Sequence, residues 1–123
     1  MADEIAIGIN FAVNKGSLKF TYNNSARATL TNDPAVGGVQ NISTTTESIS
    51  MVDVSTAGWS VWNNLTNGSK AQLGAMSGTT FVPLVQLNYN EPCALRLATT
   101  SPHMRVTVPT NGTAAIQFQI FSE

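Results

Sequence analysis

The run Ala114-Ala115-Ile116-Gln117-Phe118-Gln119-Ile120 decides the fold. In an extended chain Ala114, Ile116, Phe118 and Ile120 fall on one side and Ala115, Gln117 and Gln119 on the other, the period of two that a half-buried strand needs. The same period recurs outward from this run. Met104, Val106 and Val108 alternate with Arg105 and Thr107, and Cys93, Leu95 and Leu97 with Ala94 and Arg96, while Ala71-Leu73-Ala75 marks a short strand before a turn at Gly78. Between Thr79 and Leu87, Phe81, Pro83, Val85 and Leu87 share one face and Val82, Leu84 and Gln86 the other, which predicts partial cover on both sides. Near the start, Ile5, Ile7, Ile9, Phe11 and Val13 alternate with Ala6, Gly8, Asn10 and Ala12. Asn14-Lys15-Gly16 then turns the chain into Leu18, Phe20 and Tyr22, which reads as a hairpin.

The middle of the chain is less regular. Asn23-Asn24-Ser25 reads as another turn, followed by a weaker strand from Arg27 to Thr31 that Pro34 terminates. Residues 36–47 read as a strand plus a long loop. Ile49 and Met51 face one way and Val52 and Val54 the other, a change of parity that predicts a bulge or an edge position. Gly58 to Leu65 is a strand carrying both tryptophans. The alternation places Trp59 with Val61 in the core and turns Trp62 outward, unless both faces are covered and both indoles are buried. Nine or ten short strands, with no 3.6-residue stripe between them, predict an all-β chain. The expected architecture is a single antiparallel β-sandwich domain over residues 1–123, jelly-roll-like.

Composition narrows the function. Ser, Thr, Asn and Gln supply 43 residues against 13 charged ones, so the surface dissolves through hydroxyls and amides. Three lysines and three arginines, scattered singly, make no phosphate-neutralising stripe, so nucleic acid is not an expected partner. No apolar run reaches the roughly 18 residues of a membrane-spanning helix. Cys93 is the single cysteine, which excludes an internal disulfide. Met1-Ala2-Asp3-Glu4 lacks the basic and apolar regions of a secretory signal, so synthesis in a reducing cytoplasm is expected.

Catalytic chemistry finds little material. His103 is the only histidine, and no serine sits in a Gly-x-Ser-x-Gly elbow. Cys93 and His103 could meet across a hairpin, but Cys93 continues the Leu95–Leu97 face as a small core residue and His103 follows Ser101-Pro102 in a turn. One Cys, one His and seven scattered carboxylates offer no metal-ligand spacing. The expectation is no enzyme, no catalytic residue, no metal and no cofactor. The sequons at Asn23, Asn41, Asn64, Asn67 and Asn111 reflect an amide- and hydroxyl-rich composition. Exposed aromatics are the candidate contact residues: Trp62, Tyr22, Tyr89 and Phe121.

From Trp59 onward the order of features resembles a known family. Asn64-Leu65, then Leu73-Gly74, then Phe81-Val82-Pro83-Leu84-Val85-Gln86-Leu87, then Asn90-Glu91 and Ala94-Leu95-Arg96-Leu97, with a last alternating strand before Glu123, is similar to the small all-β virion proteins of tailed bacteriophages. Asn90 stands where those proteins usually carry glycine, and asparagine is the residue that best tolerates the left-handed backbone this implies. The resemblance covers residues 58–123. It implies a jelly-roll sandwich on a phage particle, as a capsid decoration (cement) protein or a tail or baseplate accessory subunit, made in the host cytoplasm and located in the virion. The implied partners are the major capsid protein and further copies of the chain, as a homotrimer. A carbohydrate- or receptor-binding module using Trp62, Tyr22 or Tyr89 as stacking platforms is the competing expectation.

Overall fold

Among the described residues every strand ladder is antiparallel, and an isolated parallel bridge joins Asn64 to Tyr89. The computed structural model describes residues 5–30, 35–51, 54, 56–98 and 101–122, among which ten strands form. The chain divides into two compact units, residues 1–31 and 32–123.

The first unit is a hairpin. Strands β1 (Ile5–Lys15) and β2 (Leu18–Ala28) pair without irregularity from Ile5 opposite Ala28 to Lys15 opposite Leu18. The loop is Gly16-Ser17 alone, with Gly16 at φ +59, the first central position that a type II′ turn gives to glycine. The turn expected at Asn23-Asn24-Ser25 does not form, and Arg27 and Ala28 finish β2 instead of opening a separate strand. Local turn preference loses here because Asn10, Ile9 and Gly8 of a long regular strand lie opposite and hold those three residues extended.

The second unit is a β-sandwich. Its strands are β3 (Ala35–Ile42), β4 (Glu47–Ser48), β5 (Ala57–Asn64), β6 (Lys70–Ser77), β7 (Thr80–Asn88), β8 (Cys93–Arg96), β9 (His103–Val108) and β10 (Ala114–Ser122). One sheet runs β3-β10-β5-β8 and the other β4-β9-β6-β7. The chain changes sheet at every connection except β6 to β7, a tight hairpin around Gly78 at φ +62. That interleaving is the wiring of a jelly roll. The softly patterned residues 36–47 resolve into β3, paired with β10 over eight positions, a short loop, and the two-residue β4.

The core lies between the two sheets. Ile116, Phe118 and Ile120 of β10 meet Leu73, Met104 and Val106 of the facing sheet, all buried. The expected parity of β5 is inverted: Trp62 is only 1% exposed, while Val61 is exposed and Trp59 half-buried. Ser60, on the same face as Trp62, explains why. The buried indole Nε1 donates to Ser60 Oγ at 2.8 Å, and that hydroxyl donates to the Leu95 carbonyl at 2.9 Å. The polar residue that marks the face as outward in sequence is the acceptor an interior indole requires. Trp62 also stacks on Phe118, with ring centroids 5.4 Å apart and planes inclined by 18°.

Two further expectations change. Val82 and Leu84 of β7 are exposed instead of partly covered, because β7 is the free edge of its sheet. Pro83 fits an edge, where its missing N–H breaks no ladder. A bulge sets Leu84 outside the register, Leu73 pairing with Val85 and Gly74 with Pro83, and a Cβ at Gly74 would collide with the Val82 carbonyl. Ile49 and Val54 are both buried, and Ile49 N–H donates to the Pro102 carbonyl at 2.9 Å. The parity change expected over residues 49–54 falls partly on Val52 and Asp53, outside the described residues.

The parity of β5 and β10 sets a contrast that denaturant melts will read. Phe118→Ala is expected to lower sandwich stability by about 3–5 kcal/mol, and Val61→Ala on the neighbouring strand by about 0.5 kcal/mol or less. Tryptophan fluorescence in urea reports both, since both tryptophans lie in β5.

Candidate functional site

The outer face of sheet β3-β10-β5-β8 is built from the residues that alternate with the core. Across it run Val39, Gln117 and Asn63 in one row, and Gly37, Gln119, Val61 and Ala94 in the next. Phe121, opposite Ala35, and Trp59, opposite Arg96, follow at the end of the sheet where a bulge between Ile120 and Ser122 adjusts the register. Arg96 is the one formal charge among these paired positions. Val39 and Val61 are exposed, and Phe121 and Trp59 half-buried. The Gln119 carboxamide occupies the space a side chain at Gly37 would take, so the amide lies flat on the sheet. Asn63 Oδ1 is buried on this face without a hydrogen-bond partner. The face is therefore apolar and amide-bearing, and it can lose water without stranding a row of charges.

The opposite outer face is different in kind. His103, Arg105 and Thr107 of β9 stand there beside Gln72 of β6. Arg105 Nε donates to Gln72 Oε1 at 3.1 Å, and its guanidinium sits 4.9 Å from the Phe81 ring centroid. His103 Nδ1 donates to the Ser101 carbonyl at 2.9 Å. This face is polar and cationic.

Between the free edges β7 and β8 the sandwich opens into an apolar cleft of about 290 Å³, walled by Leu73, Leu84, Val85, Leu95 and Leu97. Beside the far end of β7 lies a buried polar corner. Asn64, fully buried at the end of β5, donates from Nδ2 to the Leu87 carbonyl at 3.1 Å and to Ser69 Oγ at 2.9 Å. Its Oδ1 accepts from Thr66 N–H at 3.0 Å. The Asn64 carbonyl accepts from Asn90 N–H at 2.9 Å. Asn90 has φ +58, the left-handed conformation expected for it. Tyr89 bridges to Asn64 and is held here with its ring exposed.

Within the sandwich, Trp62, Tyr89 and Phe121 are not assembled into one site. Tyr22 lies exposed on the hairpin and Tyr89 exposed at the Asn64 corner, while Phe121 joins the neutral sheet face. Trp62 belongs to the core and presents nothing outward, which corrects the outward placement expected for it. The neutral face as a whole, with Trp59, Val39 and Val61, escaped the sequence reading. Its signal is the glutamine pair Gln117 and Gln119, which mark the outward side of β10 as bearing no charge. Cys93 and His103 stand on different sheets, not across a hairpin. Among the described residues no group of three or more His, Cys, Asp and Glu side chains could hold a metal ion.

Burial pushes the Cys93 thiol above its ordinary pKa. Less thiolate is then present at pH 8 than in a free cysteine. Iodoacetamide at pH 8 is expected to alkylate Cys93 several-fold more slowly in the folded chain than in urea, as mass spectrometry will show. Asn64→Leu strands the Leu87 carbonyl and the Thr66 amide, and is expected to cost about 3 kcal/mol or more in the same urea melts. Comparison with protein-family models, with curated proteins and with solved structures gave no match to this chain.

Proposed function

We propose that the protein is a non-enzymatic virion component, a capsid decoration (cement) protein that binds a major-capsid lattice and stabilises it. The observation that carries this reading is the neutral outer face of sheet β3-β10-β5-β8, where Val39, Val61, Trp59 and Phe121 surround the Gln117 and Gln119 amides. Such a face docks by excluding water and making neutral hydrogen bonds through the Gln117 and Gln119 amides. The resemblance of residues 58–123 to small all-β virion proteins of tailed bacteriophages supports the same function. Jelly-roll sandwiches serve in viral capsids, and also in lectins. Association of copies into a closed homo-oligomer belongs to the reading, with action in the virion after synthesis in the host cytoplasm.

The mechanism is mechanical: one sheet face bridges neighbouring capsid subunits, and the added contacts must break before the shell opens. With few charges involved, salt screening has little to act on. A lectin would depend instead on the exposed rings of Tyr22 and Tyr89.

Purified protein added to capsids stripped of accessory proteins is expected to co-sediment with them and to raise the temperature at which they rupture. Apparent affinity should change less than about threefold between about 50 and 300 mM salt. The pair Val61→Ser and Phe121→Ala should weaken binding at least about tenfold while the sandwich still melts cooperatively. Capsids whose rupture temperature does not move, or binding abolished by a soluble sugar, would overturn the proposal.

A further inference from the structure

The hairpin unit has two unlike faces. Directly paired residues share a side, so Ile5, Ile7, Ile9, Phe11 and Val13 of β1 lie on the same face as Leu18, Phe20, Tyr22, Asn24, Ala26 and Ala28 of β2, where the Asn24 amide donates to the Tyr22 hydroxyl at 3.2 Å. The other face carries Asn10, Asn14, Lys19, Thr21, Asn23, Ser25 and Arg27 among small residues. On the apolar face Ile9, Phe11, Leu18, Phe20 and Tyr22 remain 45–61% exposed. Phe11 and Phe20 meet edge to face, with centroids 6.3 Å apart. Two strands alone do not hold such a face in water; a second layer is needed.

We infer that this apolar face seats the hairpin of a second copy of the chain, stacked face to face as a four-stranded, two-layer core. The face is self-complementary. Its turn end is bulky, with Phe11, Val13, Leu18, Phe20 and Tyr22, and its open end on β2 is shallow, with Ala26 and Ala28. A two-fold stack with the hairpins running in opposite directions sets each bulky end over the other's shallow end, as an isologous contact requires. Among the described residues Lys15 is the only charge on the face, beside the turn, and that arrangement sends the two lysines to opposite ends, about 35 Å apart. No charge on the face selects a foreign partner. The five exposed side chains alone offer roughly 500 Å², so two copies bury about 1,000 Å², the area at which a specific interface holds.

This assignment stands apart from the capsid reading, because it is read with no capsid present. Light scattering coupled to size-exclusion chromatography of the full chain is expected to give a mass of two copies instead of 13.0 kDa. Phe11→Ser with Phe20→Ser should return the mass to 13.0 kDa, with the urea melt of the sandwich, followed by tryptophan fluorescence, unchanged. Thr21→Ala with Asn23→Ser, on the opposite face, should leave the mass as in the wild type. On a Cys93→Ser background, Leu18→Cys with Ala28→Cys should be joined into a covalent dimer by a bis-maleimide that spans the roughly 10 Å between stacked sheets. A wild-type chain that stays monomeric at about 100 μM, or an oligomer indifferent to the serine pair, would overturn the inference and leave the face to another part of this chain or to a foreign protein.

Discussion

A single carboxamide, that of Asn64, ties the sandwich together at one end. β5 belongs to one sheet and β6 to the other, and the chain must cross between them within residues 65–69. Crossing strips backbone groups of their ladder partners, and at its two buried ends, Asn64 and Ser69, each unmet group would cost about 1–3 kcal/mol. Asn64 meets the need from both ends of its amide, through Thr66, Ser69 and Leu87. Leu65 N–H reaches the Ala115 carbonyl, and Ala115 N–H returns to Thr66 Oγ1, both at 2.9 Å. Strands β5, β7 and β10 and the approach to β6 therefore share one hydrogen-bonded corner. An aspartate would offer no donors and bring a charge, and a leucine would bring neither donor nor acceptor.

With that corner fixed, the two outer faces of the sandwich are free to diverge. One sheet turns amides and apolar groups outward, the other Arg105, His103 and Gln72. The edges are handled locally. β7 carries Pro83 and a bulge that throws Leu84 outward, and β8 is only four residues long. Short, bulged or proline-bearing edges discourage further strands from adding to a sheet. Association by the sheet faces is compatible with these two edges; strand addition at β7 or β8 is not favoured.

Much of this was legible in sequence, and the failures have a common cause. Alternation located β9 and β10, and the core residues Ile116, Phe118, Val106 and Met104, because those strands turn one face into the dry core; it located β1 as well, although the alternating residues of β1 stay partly or largely exposed. Alternation misplaced the tryptophans because it treats polarity as a sign of exposure, and Ser60 is polar and buried for the sake of Trp62. It mistook Asn23-Asn24-Ser25 for a turn because a strand's partner, not its own composition, can hold it extended. The motif residues fared differently. Asn64, Leu87 and Asn90 all converge on the crossover corner, so that their spacing encodes how the sandwich is closed. The candidate interface left a fainter trace, since a face that binds through neutral amides has the composition of an ordinary solvated one.

The place of β10 has a consequence for how the sandwich is made. β10 sits between β3 and β5, so neither of those strands has its central neighbour until residues 114–122 have been synthesised. Loop closure over the roughly 70 residues from β3 to β10 must precede the contacts that reward it, the arrangement that slows folding most. Until then the inner faces of both sheets lack Ile116, Phe118 and Ile120 and stay wet. A nascent chain of this protein is thus held open until β10 emerges, and the late place of that strand in the sequence order sets the moment at which the core can close.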